Sequence, residues 1–155
     1  MPLRTELTLG IIKPTVAATP GPVQDIMRHI KQNGLEIARS KKLFWKQQDA
    51  KQFYEEHQGR FYFPRLVQAA TSGQFVALAI HGQDAIKRWR TMIGPTHVYK
   101  TQWTHPNSLR ARFGLSDTRN GFHGSDSTES ARKELAQIFE GWDIDWWLAQ
   151  QKENQ

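Results

Sequence analysis

Apolar residues recur along this chain in two patterns, short continuous runs and runs with helical spacing. Continuous runs of aliphatic and β-branched residues at 7–12 and 75–80 are typical of buried strands. Residues 35–45 have apolar ends and a charged centre, which predicts a strand that lies at an edge or contains a bulge. A short extended segment around His123 supplies a fourth strand.

Helical spacing predicts most of the remaining elements. Apolar residues at 23, 26, 27 and 30 indicate a helix that ends at Asn33-Gly34. Further helices are predicted from Asp49 as the capping residue to Gly59, from about residue 61 to 73, and from 82–84 to 94. A last helix over 127–139 is expected to be capped by Asp126, followed by a tryptophan-rich tail, whereas residues 96–107 lack periodicity and predict a long surface loop.

This order of elements predicts an α+β fold. We expect a ferredoxin-like sandwich, in which a split βαβ pair forms a four-stranded antiparallel sheet covered by helices on one face. A small doubly wound parallel sheet is the alternative. With 155 residues, the chain is predicted to be a single domain over 1–155.

Charge and composition narrow the classes of function. A formal charge of +6 and a pI near 9.8 favour anionic ligands, so nucleotides, nucleic acid and acidic partners all fit. No nucleic-acid-binding motif is present, which makes nucleic acid an unlikely main partner. The chain has no cysteine, which excludes disulfides and thiolate metal sites and suits a reducing compartment. No apolar run approaches the roughly 20 residues that a membrane-spanning helix needs. No targeting segment is recognisable at the N-terminus, and we expect a cytoplasmic protein.

The most informative stretch is residues 119–126, which carry His123 just before a glycine turn and a predicted helix start. Backbone N–H groups and the helix dipole favour an anion at such a position. A histidine beside a glycine turn is also common as a plain surface residue, so this stretch alone indicates only a candidate anion site.

Four segments resemble the nucleoside diphosphate kinase family. Residues 120–126 read Asn-Gly-Phe-His-Gly-Ser-Asp, similar to the family's NxxHGSD signature. Residues 9–14 resemble its first strand ending in Lys-Pro, residues 90–96 its RxxxGxT segment, and residues 108–113 its TIRxxF segment. The matches occur in family order over nearly the whole chain, and they imply the family's activity, transfer of the terminal phosphate of a nucleoside triphosphate, such as ATP, to a nucleoside diphosphate.

The resemblance implies a set of catalytic residues. His123 would be the nucleophile, which suits a side chain whose ordinary pKa of about 6.5 leaves it partly neutral at pH 7. Glu134 would orient the imidazole, Ser125 would support Glu134, and Tyr54 would pack near the histidine.

The resemblance also implies how nucleoside di- and triphosphates bind. Lys13, Arg90, Arg110 and Thr96 would contact the phosphates, Tyr62 would stack on the base beside Leu66, and Asn120 would bind the ribose. Mg²⁺ would arrive with the nucleotide phosphates, with no dedicated protein ligands and an outer-sphere contact from Asp126 as the nearest candidate.

Several positions depart from the family pattern. Thr15 replaces a usual aspartate, the loop between Thr96 and Arg110 is longer by about three residues, and Asp117 stands where a small apolar residue covers the base. These features and residues 56–60 resemble the divergent sixth-type members, some of which are associated with mitochondria or are weakly active alone. The family's hexamer suggests a homo-oligomer, whose geometry the longer loop would change. A weakly active nucleotide-binding scaffold that acts through a protein partner is the alternative function, and mitochondria the alternative location.

Overall fold

The structure, a computed structural model, describes residues 5–114 and 120–153. Its strands are β1 (Thr5–Ile12), β2 (Glu36–Leu43), β3 (Phe75–Gln83) and β4 (Phe122–Gly124). Its helices are α1 (Pro14–Ala17), α2 (Pro20–Gln32), α3 (Gln47–Phe53), α4 (Phe63–Ala70), α5 (Ala85–Ile93), α6 (Val98–Thr104), α7 (Leu109–Phe113), α8 (Thr128–Ile138) and α9 (Ile144–Glu153), with a 3-10 turn at Glu55–His57. The predicted domain boundaries, 1–155, extend beyond these described residues.

The sheet has the strand order β2-β3-β1-β4, and every neighbouring pair is antiparallel. This arrangement confirms the predicted ferredoxin-like α+β fold, and the alternative of a parallel sheet is wrong. Strand β2 lies at an edge, and its register with β3 shifts between Ile37 and Arg39. The edge position and the bulge predicted for the charged strand are therefore both confirmed.

Helices cover both faces of the sheet, so the prediction that they cover one face is wrong. On one face, α2 and α5 pack on alternate residues of β1 and β3, with Ile30 and Trp89 fully buried. On the other face, α8 packs through Leu135 and Ile138 on the intervening residues. A strand covered on both sides has no polar face, which explains why β1 and β3 read as continuous apolar runs.

The segment predicted to be a long loop contains helix α6, and the next segment forms helix α7. Among the side chains of α6 that the structure describes, Val98 and Thr101 are buried, and the Thr101 hydroxyl donates a hydrogen bond to the carbonyl of Pro95 at 3.0 Å. Because one of these two inward positions is polar and Trp103 is exposed, the segment lacks an apolar periodicity. The helix is thus held by tertiary contacts that its own pattern does not show.

Two predicted helix caps are also wrong. Helix α8 is capped by Ser127, whose hydroxyl accepts from the N–H of Ser130 at 3.1 Å, and Asp126 lies one residue before the cap. Asp49 lies inside α3 and accepts from the N–H of Lys46 at 3.1 Å. Either residue type can satisfy a free N–H at a helix start, so the pattern identified the helix but not its first residue. The tryptophan-rich tail forms helix α9.

None of the described helices is both long and apolar enough to cross a membrane.

Candidate active site

Two contacts hold the backbone of His123, and a third holds its ring. His123 pairs with Ile11 across the sheet, and the indole Nε1–H of Trp89 donates to the His123 carbonyl at 3.0 Å. The imidazole meets the edge of the Phe53 ring, with 5.0 Å between ring centroids. These contacts place the imidazole at the edge of the sheet core with little freedom to move.

A chain of hydrogen bonds orients the imidazole. His123 Nε2 lies 2.8 Å from Oε1 of Glu134, and the Ser125 hydroxyl donates to the same oxygen at 2.8 Å. Ser125 is fully buried, and its Oγ accepts from the N–H of Leu9 at 3.2 Å. Nδ1 of His123 makes no hydrogen bond with the described part of the chain. The imidazole is therefore held through Nε2, and Nδ1 is the nitrogen that can react.

His123 faces a cavity of about 910 Å³, called here the His123 cavity. The predicted site residues that line it are Lys13, Tyr54, Tyr62, Leu66, Arg90, Thr96, Arg110, Asn120, His123 and Glu134. Ser125 lies behind Glu134 rather than on the wall. The structure therefore brings all eleven predicted site residues to one place, although they come from seven separate parts of the chain.

Two cations of the cavity are close together and partly withdrawn from water. Lys13 Nζ donates to Oδ1 of Asn120 at 3.3 Å, and Arg110 donates through NH2 to the carbonyl of Phe122 at 3.1 Å. Burial, and then the charge of Arg110, lowers the pKa of Lys13 to about 7. Burial, and then the charge of Arg90, lowers the pKa of Arg110 to about 10. Because Arg110 lowers the pKa of Lys13 and Arg90 lowers that of Arg110, an anion bound among these cations would relieve the repulsion.

Tyr54 is buried beside this charged group, and its hydroxyl is held neutral. Burial, and next the negative charge of Glu134, raises the pKa of Tyr54 well above its ordinary value. A neutral phenol can donate a hydrogen bond toward the cavity.

Some contacts at the site were not predicted from the sequence. Trp89 and Phe53 lie in segments for which only helices were predicted, and they contact the backbone carbonyl and the ring of His123. His57 was assigned no role, and it is hydrogen-bonded to Tyr62 on the cavity wall. Apolar spacing could identify Trp89 and Phe53 as core residues, but no sequence signal indicates which polar group a buried ring contacts.

The described residues include no cluster of three or more His, Asp or Glu side chains placed to hold a metal ion. Asp126 lines the cavity as an exposed carboxylate. Mg²⁺ keeps most of its water and binds through one or two carboxylates together with substrate phosphates. The wall therefore fits an ion that is carried by a polyphosphate ligand.

Comparison with known proteins identifies the class of this fold and site. The family model for nucleoside diphosphate kinase matches residues 6–144, and the chain belongs to that family. It is 42% identical to Nucleoside diphosphate kinase 6 of Danio rerio over 147 residues, which cover 95% of this chain and 83% of that protein. It is 40% identical to the Homo sapiens protein of the same name over 151 residues, 97% of this chain and 81% of that one.

The resemblance to sixth-type members is thereby confirmed. Among solved structures, the nucleoside diphosphate kinase of Aquifex aeolicus superposes with a TM-score of 0.85 at 40% identity, over 91% of this chain and 99% of that chain. The similarity therefore extends through the whole fold.

Proposed function

We propose that this chain transfers the terminal phosphate of a nucleoside triphosphate, such as ATP, to a nucleoside diphosphate, through a phosphorylated His123. The observation that carries the proposal is the hydrogen-bonded chain from Ser125 through Glu134 to Nε2 of His123. Within the described residues, this chain leaves Nδ1 of His123 without a hydrogen bond. The His123 side chain also lines a cavity that contains several cations. Membership of the family supports the same activity.

The residues that line the cavity would take three roles, one for each part of a nucleotide. Lys13, Arg90, Arg110 and Thr96 would contact the phosphates, with Lys13 and Arg110 the most strongly desolvated. Asn120 would bind the ribose hydroxyls, and Tyr62 would stack on the base with Leu66 beside it. An aromatic face stacks on any base, which fits a kinase that accepts several nucleosides.

In the first half of the reaction, Nδ1 of His123 attacks the terminal phosphorus, and a nitrogen–phosphorus bond forms. The bond from that phosphorus to the bridging oxygen breaks, and the nucleoside diphosphate leaves with the electron pair. The ring becomes cationic while Nε2–H donates to Glu134, so the carboxylate stabilises the charge that develops. In the second half, a different nucleoside diphosphate attacks the phosphohistidine, and the same steps run in reverse.

The remaining groups stabilise charge on the phosphate in transit. A loose transition state spreads negative charge over the equatorial oxygens, and the cations that line the cavity would stabilise that charge. The neutral hydroxyl of Tyr54 adds a donor. Mg²⁺, brought with the nucleotide, would neutralise charge on the phosphates, and the carboxylate of Asp126, which lines the cavity, would contact its water shell.

The decisive experiment measures the phosphoenzyme. Folded protein incubated with Mg²⁺ and ATP labelled on the terminal phosphate should gain label that is stable in base and labile in acid. Subsequent addition of unlabelled GDP should release this label as GTP. His123→Ala should abolish labelling, whereas the matched control His29→Ala, outside the cavity, should not. Folded wild-type protein that takes up no label would refute the proposal.

Assembly is a separate part of the proposal. We expect a homo-oligomer, as implied by the family resemblance, with a geometry altered by the segment that contains α6. A native mass measurement tests this independently of activity, and a strictly monomeric protein would contradict it.

A further inference from the structure

We propose that His57 is a positioning residue that fixes the ring of Tyr62 as the platform for the nucleotide base. His57 Nδ1 lies 2.8 Å from the Tyr62 hydroxyl, and both side chains line the His123 cavity. Their ring centroids are 5.4 Å apart at an interplanar angle of 60°. The inference rests on the proposed function in one respect, because it assumes that a base lies on Tyr62.

The segment that carries Tyr62 needs such a tether. Tyr62 follows a turn in which Gly59 has a φ of +90°, and it directly precedes helix α4. Its neighbour Phe61 meets the Tyr62 ring edge-on, with 5.4 Å between centroids, but Phe61 is itself 85% exposed and is therefore a weak support. Without the His57 hydrogen bond, the angle of the Tyr62 ring would depend on this exposed neighbour and on local contacts of the turn.

His57 is itself supported from the core. Its ring lies 6.3 Å, between centroids, from that of Tyr54, which is buried in a cluster with Ala50 and Val67. Tyr54 in turn contacts Phe53, whose ring meets His123. A continuous row of rings therefore connects the proposed nucleophile to the proposed base platform, and the His57–Tyr62 hydrogen bond is its last link.

The hydrogen bond also determines which part of Tyr62 is offered to a base. A tyrosine hydroxyl that is free to rotate can form hydrogen bonds with base edges, which differ between nucleosides. Here the hydroxyl is engaged by His57, so the ring presents its face, and stacking is tolerant of base identity. The pair is therefore expected to raise affinity for all nucleosides alike.

This reasoning predicts the size and the form of the effect. Loss of one neutral hydrogen bond weakens binding by roughly 2- to 10-fold. Tyr62→Phe, which keeps the ring, and His57→Ala should each raise the dissociation constant of Mg-ADP by that factor. Because both remove the same bond, the double variant should bind no more weakly than the weaker single variant.

The experiment is a double-mutant cycle with ADP, GDP and CDP as the probes. Calorimetric titration gives the dissociation constants, and steady-state kinetics should show a raised KM for all three with little change in kcat. His57→Asn, whose side chain can still reach a hydroxyl, should recover part of the affinity, and His29→Ala serves as the matched control. Thermal unfolding without nucleotide shows whether each variant is folded.

Three results would overturn the inference: wild-type affinity in Tyr62→Phe, additive losses in the double variant, or a loss confined to one nucleoside. These failures differ from failure of the proposed function. If the wild-type protein is phosphorylated and binds ADP but the variants behave like it, only the role of His57 is wrong. If the wild-type protein binds no ADP and takes no label, both proposals fail.

Discussion

Lys13 offers a direct test of the electrostatics of the cavity, because its charge should make the nucleotide-free protein less stable. Burial and the charge of Arg110 lower its pKa from 10.5 to about 7. Between these two pH values the unfolded chain binds more protons than the folded one, so the free energy of unfolding rises with pH across this window. At pH 7, replacing Lys13 with methionine, which has a similar length and no charge, should remove the penalty.

The magnitude follows from the same values. The difference between a pKa of 10.5 and one of about 7 corresponds to at most about 5 kcal/mol. Lys13 opens on the cavity and is hydrogen-bonded to Asn120, so part of the cost is already offset. We expect Lys13→Met to raise the free energy of unfolding by about 1–3 kcal/mol at pH 7. The same substitution should weaken ADP binding at least about tenfold, since a phosphate contact is lost.

Urea unfolding followed by tryptophan fluorescence, at pH 7 and at pH 9.5 without nucleotide, measures this effect. The advantage of Lys13→Met should be larger at pH 7 than at pH 9.5, because at pH 9.5 the folded lysine is neutral and the pH is only about one unit below the unfolded-state pKa of 10.5. Lys31→Met, at an exposed position, is the matched control and should change little at either pH. A Lys13→Met protein that is less stable than wild type at pH 7, or a difference that does not change with pH, would refute the reasoning.

Two further predictions concern packing around the site and the far face of the sheet. Gly124→Ala should lower the free energy of unfolding by about 1–3 kcal/mol and slow phosphorylation, because the new Cβ would lie 2.9 Å from Cδ1 of Trp89 and disturb the hydrogen bond from Trp89 to the His123 carbonyl. Gly21→Ala, where nothing lies within 4 Å of the new Cβ, is the control and should have neither effect. Equal stability of the two variants in urea would contradict this prediction. His81→Leu should leave the free energy of unfolding unchanged or raise it by about 1 kcal/mol, because both ring nitrogens of His81 are buried without a hydrogen bond. A clearly lower melting temperature of the variant in a thermal scan would contradict this prediction.

Much of the fold could be predicted because its two central strands and main helices have strong local patterns. β1 and β3 consist of continuous apolar runs, and α2 and α8 have a clear apolar stripe. Helix α6 was missed because Thr101 is one of its described buried positions, beside Val98, and a buried threonine looks polar in the sequence. The single-sided helix layer was predicted wrongly because element order does not say on which face each helix returns.

The candidate site was predictable to the extent that its residues are close in sequence. His123, Ser125 and Glu134 lie within twelve positions, so a strand, a turn and two helical turns bring them into contact once the local structure is known. The residues alone nevertheless indicated only a candidate anion site at a helix start, and the roles of Ser125 and Glu134 were predicted through the family resemblance. Four segments that resemble one family predicted the other members by analogy.

Only the tertiary structure decided how these parts act on one another. Placing β4 beside β1 brings the Lys13 N–H within 2.8 Å of the Gly121 carbonyl and its ammonium close to Asn120 and Arg110, which are about a hundred residues away in the chain. The lowered pKa of Lys13 and the His57–Tyr62 bond depend on burial and on distances of a few ångströms. A sequence pattern specifies which residues face inward, but charge interaction and hydrogen bonding depend on which residues meet there, and strand order and packing determine those contacts.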